Sequence, residues 1–391
     1  MASVVFYFQV HQPFRLRRYS IFDSGSNYFD EEANSRVLNK VAGKCYLPAN
    51  RLMLDLIRRH EGRFRISYSV TGMAMEQFRR YNPAVLDSFV ALAKTGCVEF
   101  IAETYYHSLA FLYRRDEFIE QIEKHRSMMN ELFGQRPRVF RNTELTYNND
   151  VAMVVESTGF DAVLTEGADH ILGYRSPNFL YNPPNCGSLK MLLKNYRLSD
   201  DVAFRFGNRG WNEWPLTAEK FARWVNQING NGYVCNLFMD YETFGEHQWV
   251  DTGIFDFLDA LPGRVMAIGD NDFLTVSQAI DRYPVSGELD VPHMISWADT
   301  ERDISAWLGN SMQANALYEV YALADEVRAS GNEALLEDWR KLQTSDHFYY
   351  MSTKYFADGD VHKYFNPYQS PYDSYINYMN ILDSVRARLQ A

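Results

Sequence analysis

The sequence predicts an α/β fold, a parallel sheet closed as a barrel or doubly wound, followed by a helical C-terminal region. Three observations predict it. Short apolar or β-branched runs alternate with segments of helical spacing up to about residue 240. The seven runs suit either a barrel or a doubly wound sheet. From about residue 300, helical segments follow one another with no strand-like run between them.

The elements come in order. The first run, "VVFYFQV" (4–10), closes on His11 and Gln12. The helical pattern "NRLMLDLIRRH" separates it from "RFRISYSV" (63–70). "PAVLDSFVALAKTG" and "EFIEQIEKHRSMMNELFG" both stop at glycine, a usual helix terminator, and flank "VEFIAET" (98–104). "RVFRNTE" (138–144), the helix "DVAMVVESTG" and "DAVLTEG" (161–167) follow, then "SLKMLLKN" (188–195). The helix "AEKFARWVNQING" leads into the seventh run, "YVCNLFMD" (233–240). No GxGxxG follows the first run, so a dinucleotide-binding sheet lacks its phosphate turn. Beyond 300, "SAWLGNSMQANALYEVYALADEVRAS", "EALLEDWRKLQTSDHFYYMS" and "SYINYMNILDSVRARLQ" read as helices.

Bulk properties exclude several functions. The net charge of -11 gives no basic footprint for nucleic acid. No run of about 18 apolar residues exists, so no membrane span is expected. "MASVVFYFQVHQP" has neither a basic n-region nor a small-residue cleavage site. Cys45, Cys97, Cys186 and Cys235 lie far apart and form no CxxC. Free thiols in a reducing, cytoplasmic compartment are expected. Aromatic residues reach 15%. They can fill a core, or stack on the apolar faces of sugar rings.

In parallel βα architectures, sites form where strands end. The first run ends in His11 and Gln12, the third in Glu103, Tyr105, Tyr106 and His107. The fourth ends in Arg141 and Glu144, the seventh in Asp240, Glu242 and His247. Several have plain structural readings: His11 as a hydrogen-bonding strand end, Glu103 as a helix cap, Glu242 as an acceptor of loop amides. Glu144 and Asp240 close apolar runs, where an unpartnered carboxylate is costly, and so are candidate catalytic residues. Strand alternation faces Arg141 and Glu144 oppositely unless a turn intervenes, so Arg141 receives no role.

Five segments, "HQPFR" (11–15), "VEFIAETYYHSL" (98–109), "FRNTELTYNN" (140–149), "FMDYETFGEHQW" (238–249) and "ISWADTERDISAWLGN" (295–310), together resemble glycoside hydrolase family 57, α-amylase group. "TSDHFYYMSTK" (344–354) is similar to a further segment of that group. The resemblance implies a (β/α)7 catalytic barrel over 1–300 and a helical domain over 301–391 packed on it. It implies retaining hydrolysis of α-1,4-glucosidic bonds in an α-glucan or maltooligosaccharide, with Glu144 as nucleophile and Asp240 as acid/base. His11 and His107 would line the sugar subsite, and Asp303 and Trp307 match the last motif. The sequence holds no compact His/Cys/Asp ligand set, so no cofactor and no catalytic metal are expected.

The chemistry fits these residue types. One carboxylate attacks the anomeric carbon, one carboxylic acid protonates the leaving oxygen, and in retaining enzymes they stand about 5–5.5 Å apart. Asp240 must then keep its proton near neutrality, through burial and the charge of Glu144. Tyr105, Trp211, Trp214, Trp249 and Trp307 are candidates for stacking glucose rings, with core packing as the alternative. Glu242 is expected to be held by amides or a cation, with a turn at Gly245, while His247 and Trp249 border a sugar subsite. The aromatic stretch Phe348 to Tyr378 serves helix docking or forms a cleft wall. Three rival readings remain: a 4-α-glucanotransferase or branching enzyme with the same carboxylates, a metal-dependent deacetylase or mannosidase, and a non-catalytic glucan-binding protein. The metal reading suffers from Pro13 in "HQP", where an HxD motif would place a ligand.

Overall fold

The computed structural model describes residues 2–354 and 366–390. Its strands are β1 (Ser3–Val10), β2 (Ile66–Val70), β3 (Val98–Phe100), β4 (Val139–Arg141), β5 (Ala162–Glu166), β6 (Leu180–Asn182), β7 (Lys190–Lys194), β8 (Val234–Asp240), β9 (Asp272–Phe273) and β10 (Val285–Glu288). The seven expected runs are β1 to β5, β7 and β8. β6, β9 and β10, two to four residues long, are too short for a periodic signal.

β1 lies parallel between β2 and β8, with Phe8 opposite Tyr68 and Met239, and β3 pairs parallel with β2. β4, β5 and β7 form a second parallel set. Backbone hydrogen bonds join the two sets at both edges. Ala102 N–H donates to Val139 O at 2.9 Å and Ala102 O accepts from Arg141 N–H at 2.8 Å. Asn195 N–H donates to Asn236 O at 2.9 Å. The strands thus follow one another round in chain order, as a (β/α)7 barrel does, with β6 antiparallel to β7 as an addition. Every residue of β1 is buried, because both faces are covered.

Helices fill the connections where the spacing placed them. Leu47–Arg59 and Pro83–Ala93 stand on either side of β2, and Arg115–Phe133 precedes β4. The last ends at Gly134, whose φ of +65° suits a residue without a side chain. Glu31–Val41 runs through a π-helical segment, Ala42–Tyr46, into Leu47–Arg59. That wide turn presses Lys44 O against the loop after β8. A Cβ on Gly245, at φ +105°, would lie 2.0 Å from Lys44 O.

Inside the barrel, Val5, Tyr7, Ile101, Leu145, Leu164, Leu192 and Phe238 form one cluster. A second joins Phe140, Val163 and Leu193 to Trp307, Leu317, Trp339, Phe348 and Tyr378, so the C-terminal helices pack on the barrel. Buried Glu117 of Arg115–Phe133 adds ion pairs to Arg328, at 2.5 Å, and Arg340, at 2.9 Å. Of the aromatic stretch, Phe348 and Tyr378 dock helices, Tyr372 is exposed, and Tyr355, Phe356, Tyr364 and Phe365 lie outside the described residues. Among the described residues no helix is long and apolar enough to cross a membrane.

Candidate active site

β4 stops at Arg141, and the chain turns sharply. Asn142 stays extended, then Glu144 and Leu145 both take left-handed backbone, at φ +57° and +52°. Such conformations cost about 1–3 kcal/mol each and cluster at functional sites. The turn replaces strand alternation, so Glu144 and Arg141 end up around one centre: the guanidinium is fully buried 3.9 Å from Glu103, and its charge reaches Glu144 and Asp240.

Both oxygens of Glu144 are held. Oε1 stands 3.0 Å from His107 Nε2 and accepts from Ser345 Oγ at 3.4 Å. Oε2 accepts from Trp297 Nε1–H at 2.7 Å. Burial alone would raise the Glu144 pKa, but the His107 hydrogen bond and charge, with Arg141, hold it below the ordinary value. Asp240 is the last residue of β8, in register with Gln9 of β1. Burial first, then the charge of Glu144, pushes its carboxyl up to about 6.

His107, at φ +51°, bridges two carboxylates, with Nδ1 3.1 Å from Glu103 Oε2 and Nε2 on Glu144. Burial opposes its charge, but these two partners raise it to about 9. Glu103 also accepts from Gln9 Nε2 at 3.2 Å. Burial acts to raise it, yet His107 and Arg141 bring it down to about 2. The His11 ring lies on that of His107, centroids 4.0 Å apart at 21°. Its Nδ1 meets Thr71 Oγ1 at 3.0 Å and its Nε2 meets Asp346 Oδ2 at 2.9 Å. Burial and the charge on His107 lower the His11 pKa, so the stack carries its proton charge on His107.

Several of the residues expected to contact sugar are engaged by protein groups in this structure. Glu103 is fully buried and serves His107. Gln12 is buried and spends its amide on Tyr46 and, at 3.4 Å, on Glu242. Tyr105 packs in the core against Gly72, its hydroxyl on Glu76 at 2.9 Å. Trp211 packs on Trp224, and Trp307 is 2% exposed beside Tyr349. Asp303 caps Ser305, accepting its N–H at 2.8 Å. Gln12 and Tyr105 are taken by residues of helical segments distant in sequence, Tyr46 and Glu76. Glu242 is buried and accepts from the Tyr46 hydroxyl and Gln12. Burial, then the charge of Asp240, pushes it up to about 8. Loop amides or a cation were expected here; the side-chain amide of Gln12 and the Tyr46 phenol were not foreseen. His247 and Trp249 lie exposed on the loop after β8, with Lys44 Nζ 5.2 Å from the Trp249 ring. Trp214, also exposed, lines a 280 Å³ surface cavity with Thr217, Thr252 and Asp256.

Sequence reasoning singled out neither Trp297, Ser345, Asp346 nor Lys194. The first three sit inside quoted motif segments, which was the available signal. At the ends of β5 and β7, Lys194 stands 3.1 Å from Asp200 and 3.7 Å from Glu166, and Arg302 pairs with Glu166 at 2.8 Å. Among the described residues no group of three His, Cys, Asp or Glu is arranged to hold a metal ion. The strand ends thus gather a carboxyl held below its ordinary pKa, a carboxyl raised to about 6 and an imidazole raised to about 9.

The sequence matches glycosyl hydrolase family 57 over residues 5–292. It is 46% identical to a Methanocaldococcus jannaschii protein described as "Putative alpha-amylase", over 97% of this chain and 83% of the relative. A branching enzyme from Pyrococcus horikoshii shares the fold with a TM-score of 0.72 at 14% identity, covering 98% of this chain and 88% of that one. A 4-alpha-glucanotransferase from Thermococcus litoralis does so with a TM-score of 0.68 at 15% identity, covering 89% of this chain. The present chain spans 56% of that protein's length.

Proposed function

This chain belongs to glycosyl hydrolase family 57, and on that footing we propose that it hydrolyses α-1,4-glucosidic bonds of an α-glucan or maltooligosaccharide with retention at the anomeric carbon. One observation carries the proposal: Glu144, anchored to His107 at 3.0 Å and to Trp297 at 2.7 Å, is held below its ordinary pKa, while Asp240 at the end of β8, near enough to feel its charge, is raised to about 6. A nucleophile and an acid need that divergence.

In this reading Glu144 attacks the anomeric carbon while the glycosidic C–O bond breaks and Asp240 gives its proton to the leaving oxygen. The ester consumes the negative charge of Glu144, so Asp240 loses the neighbour that raised its pKa. It can then take a proton from water, whose oxygen displaces Glu144 and restores both carboxyls. His107 and His11 would line the sugar subsite next to the ester, with His247, Trp249 and Trp214 further out. The reading divides the chain near residue 300 into barrel and helical domain, and places the protein in the cytoplasm.

A reducing-sugar assay on soluble starch and maltooligosaccharides, with chromatography of the products, tests it. New reducing ends are expected. Redistribution of chain lengths without new ends would make it a 4-α-glucanotransferase using the same carboxylates; a rise in branch points would make it a branching enzyme. Neither product with any of these glucans would overturn the proposal.

A further inference from the structure

We propose that Trp297 is a positioning residue of this reaction, its indole N–H fixing the plane of the Glu144 carboxylate for attack. The inference rests on Glu144 being the nucleophile. His107 holds only Oε1, and a carboxylate gripped at one oxygen can still swing about that contact. The 2.7 Å hydrogen bond from Trp297 to Oε2 removes the freedom. The backbone adds a second tie, since Trp297 N–H donates to Glu144 O at 3.2 Å.

Two further observations favour this role over sugar stacking. The Arg141 guanidinium lies 4.8 Å from the Trp297 ring centroid and Lys194 Nζ 5.4 Å from it. Cations over an indole draw on its π density and make the N–H a better donor. They also occupy space that a sugar face would need. The loop carrying Trp297 is then strapped to the barrel. Ser296 N–H donates to Arg302 O at 3.1 Å, and Arg302, at φ +52°, pairs with buried Glu166 at the end of β5. Asp299, at φ +54°, is 3.5 Å from Lys354. A left-handed residue at each of these two points is backbone cost spent on holding one indole in place.

The test uses a 5-fluoro α-glycosyl fluoride of glucose or maltose. Fluoride leaves without protonation, so labelling reports the nucleophile and not the acid. Wild-type protein is expected to carry the label on Glu144, located by peptide mass spectrometry. Trp297→Phe should label about 10²-fold more slowly, the loss typical of one fixed donor. Its KM for a glucan should change little. A donor to a carboxylate lowers its pKa, so removing it must move the acid limb of kcat/KM to higher pH. Unchanged labelling rate with an unmoved acid limb overturns the inference while leaving Glu144 as nucleophile. Wild-type label elsewhere, or none, sinks the nucleophile assignment and the inference with it. Should Trp297→Phe not fold, the seven indole N–H resonances of wild type and Glu144→Gln are compared. One should shift strongly; none shifting overturns the inference.

Discussion

Nε2 of His107 stands 3.0 Å from Oε1 of Glu144, delivered there by a left-handed backbone on both residues. The pair comes from adjacent strand ends, β3 and β4, and Glu103 beneath His107 keeps the imidazole charged. A carboxylate anchored to a buried cation stays ionised in low-dielectric surroundings, which an unpaired one does not.

Replacing Glu144 by Gln should lower turnover of glucans by about 10⁴-fold or more, since a group acting as nucleophile is not replaced by its amide. Circular dichroism and binding of maltooligosaccharide should be retained. Residual activity near wild type would refute the assignment.

Activity should fall as pH rises through about 6, where free Asp240 loses its proton. In Asp240→Asn, cleavage of ordinary glucans should drop by about 10²–10⁴-fold, whereas the first step on a substrate with a good leaving group is spared. Equal losses on both substrates would exclude Asp240 as the acid.

His107→Gln should destabilise the protein by about 3 kcal/mol near pH 6, as breaking a buried ion pair does. The folded value of about 9 lies above the ordinary 6.5. The stabilisation is therefore complete below pH 6.5 and disappears as pH rises through 9. Urea melts of both proteins at pH 6 and pH 10 check this: the gap must narrow at pH 10.

Gly245→Ala should cost about 3 kcal/mol or more, because strain at φ +105° adds to a clash of a Cβ with a carbonyl oxygen 2.0 Å away. The loop that follows Asp240 would shift from the π-helical turn. Both Tm and activity should fall; an unchanged Tm would contradict the packing described.

Chelator should leave glucan cleavage intact, since the proposed chemistry runs on two carboxyls. Full, metal-reversible loss of activity with the fold retained would favour the metal-dependent rival.

The seven barrel strands were legible because each is an apolar run bounded by helical pattern, and both candidate catalytic carboxylates were legible as acids closing such runs. What failed was anything set by tertiary packing. β3 was expected to reach residue 104 but ends at Phe100, because the chain bends to give Ala102 to β4. Arg141 and Glu144 share a centre only through two left-handed residues that no propensity announces. That Trp307 would be buried beside Tyr349 and Trp211 packed on Trp224 was not legible locally. Trp297 and Asp346 lie 153 and 335 residues from the groups they hold, beyond any local pattern.

The helix Ser345–Tyr349 belongs to the last part of the chain, yet it gives Ser345 to Glu144 and Asp346 to His11. On a ribosome, both candidate catalytic carboxylates and both stacked histidines emerge long before it does. The site is thus left unfinished until the helical region folds back, and a chain ending before residue 345 would keep its acids and the Thr71 contact to His11 but lack the partners that Ser345 and Asp346 supply.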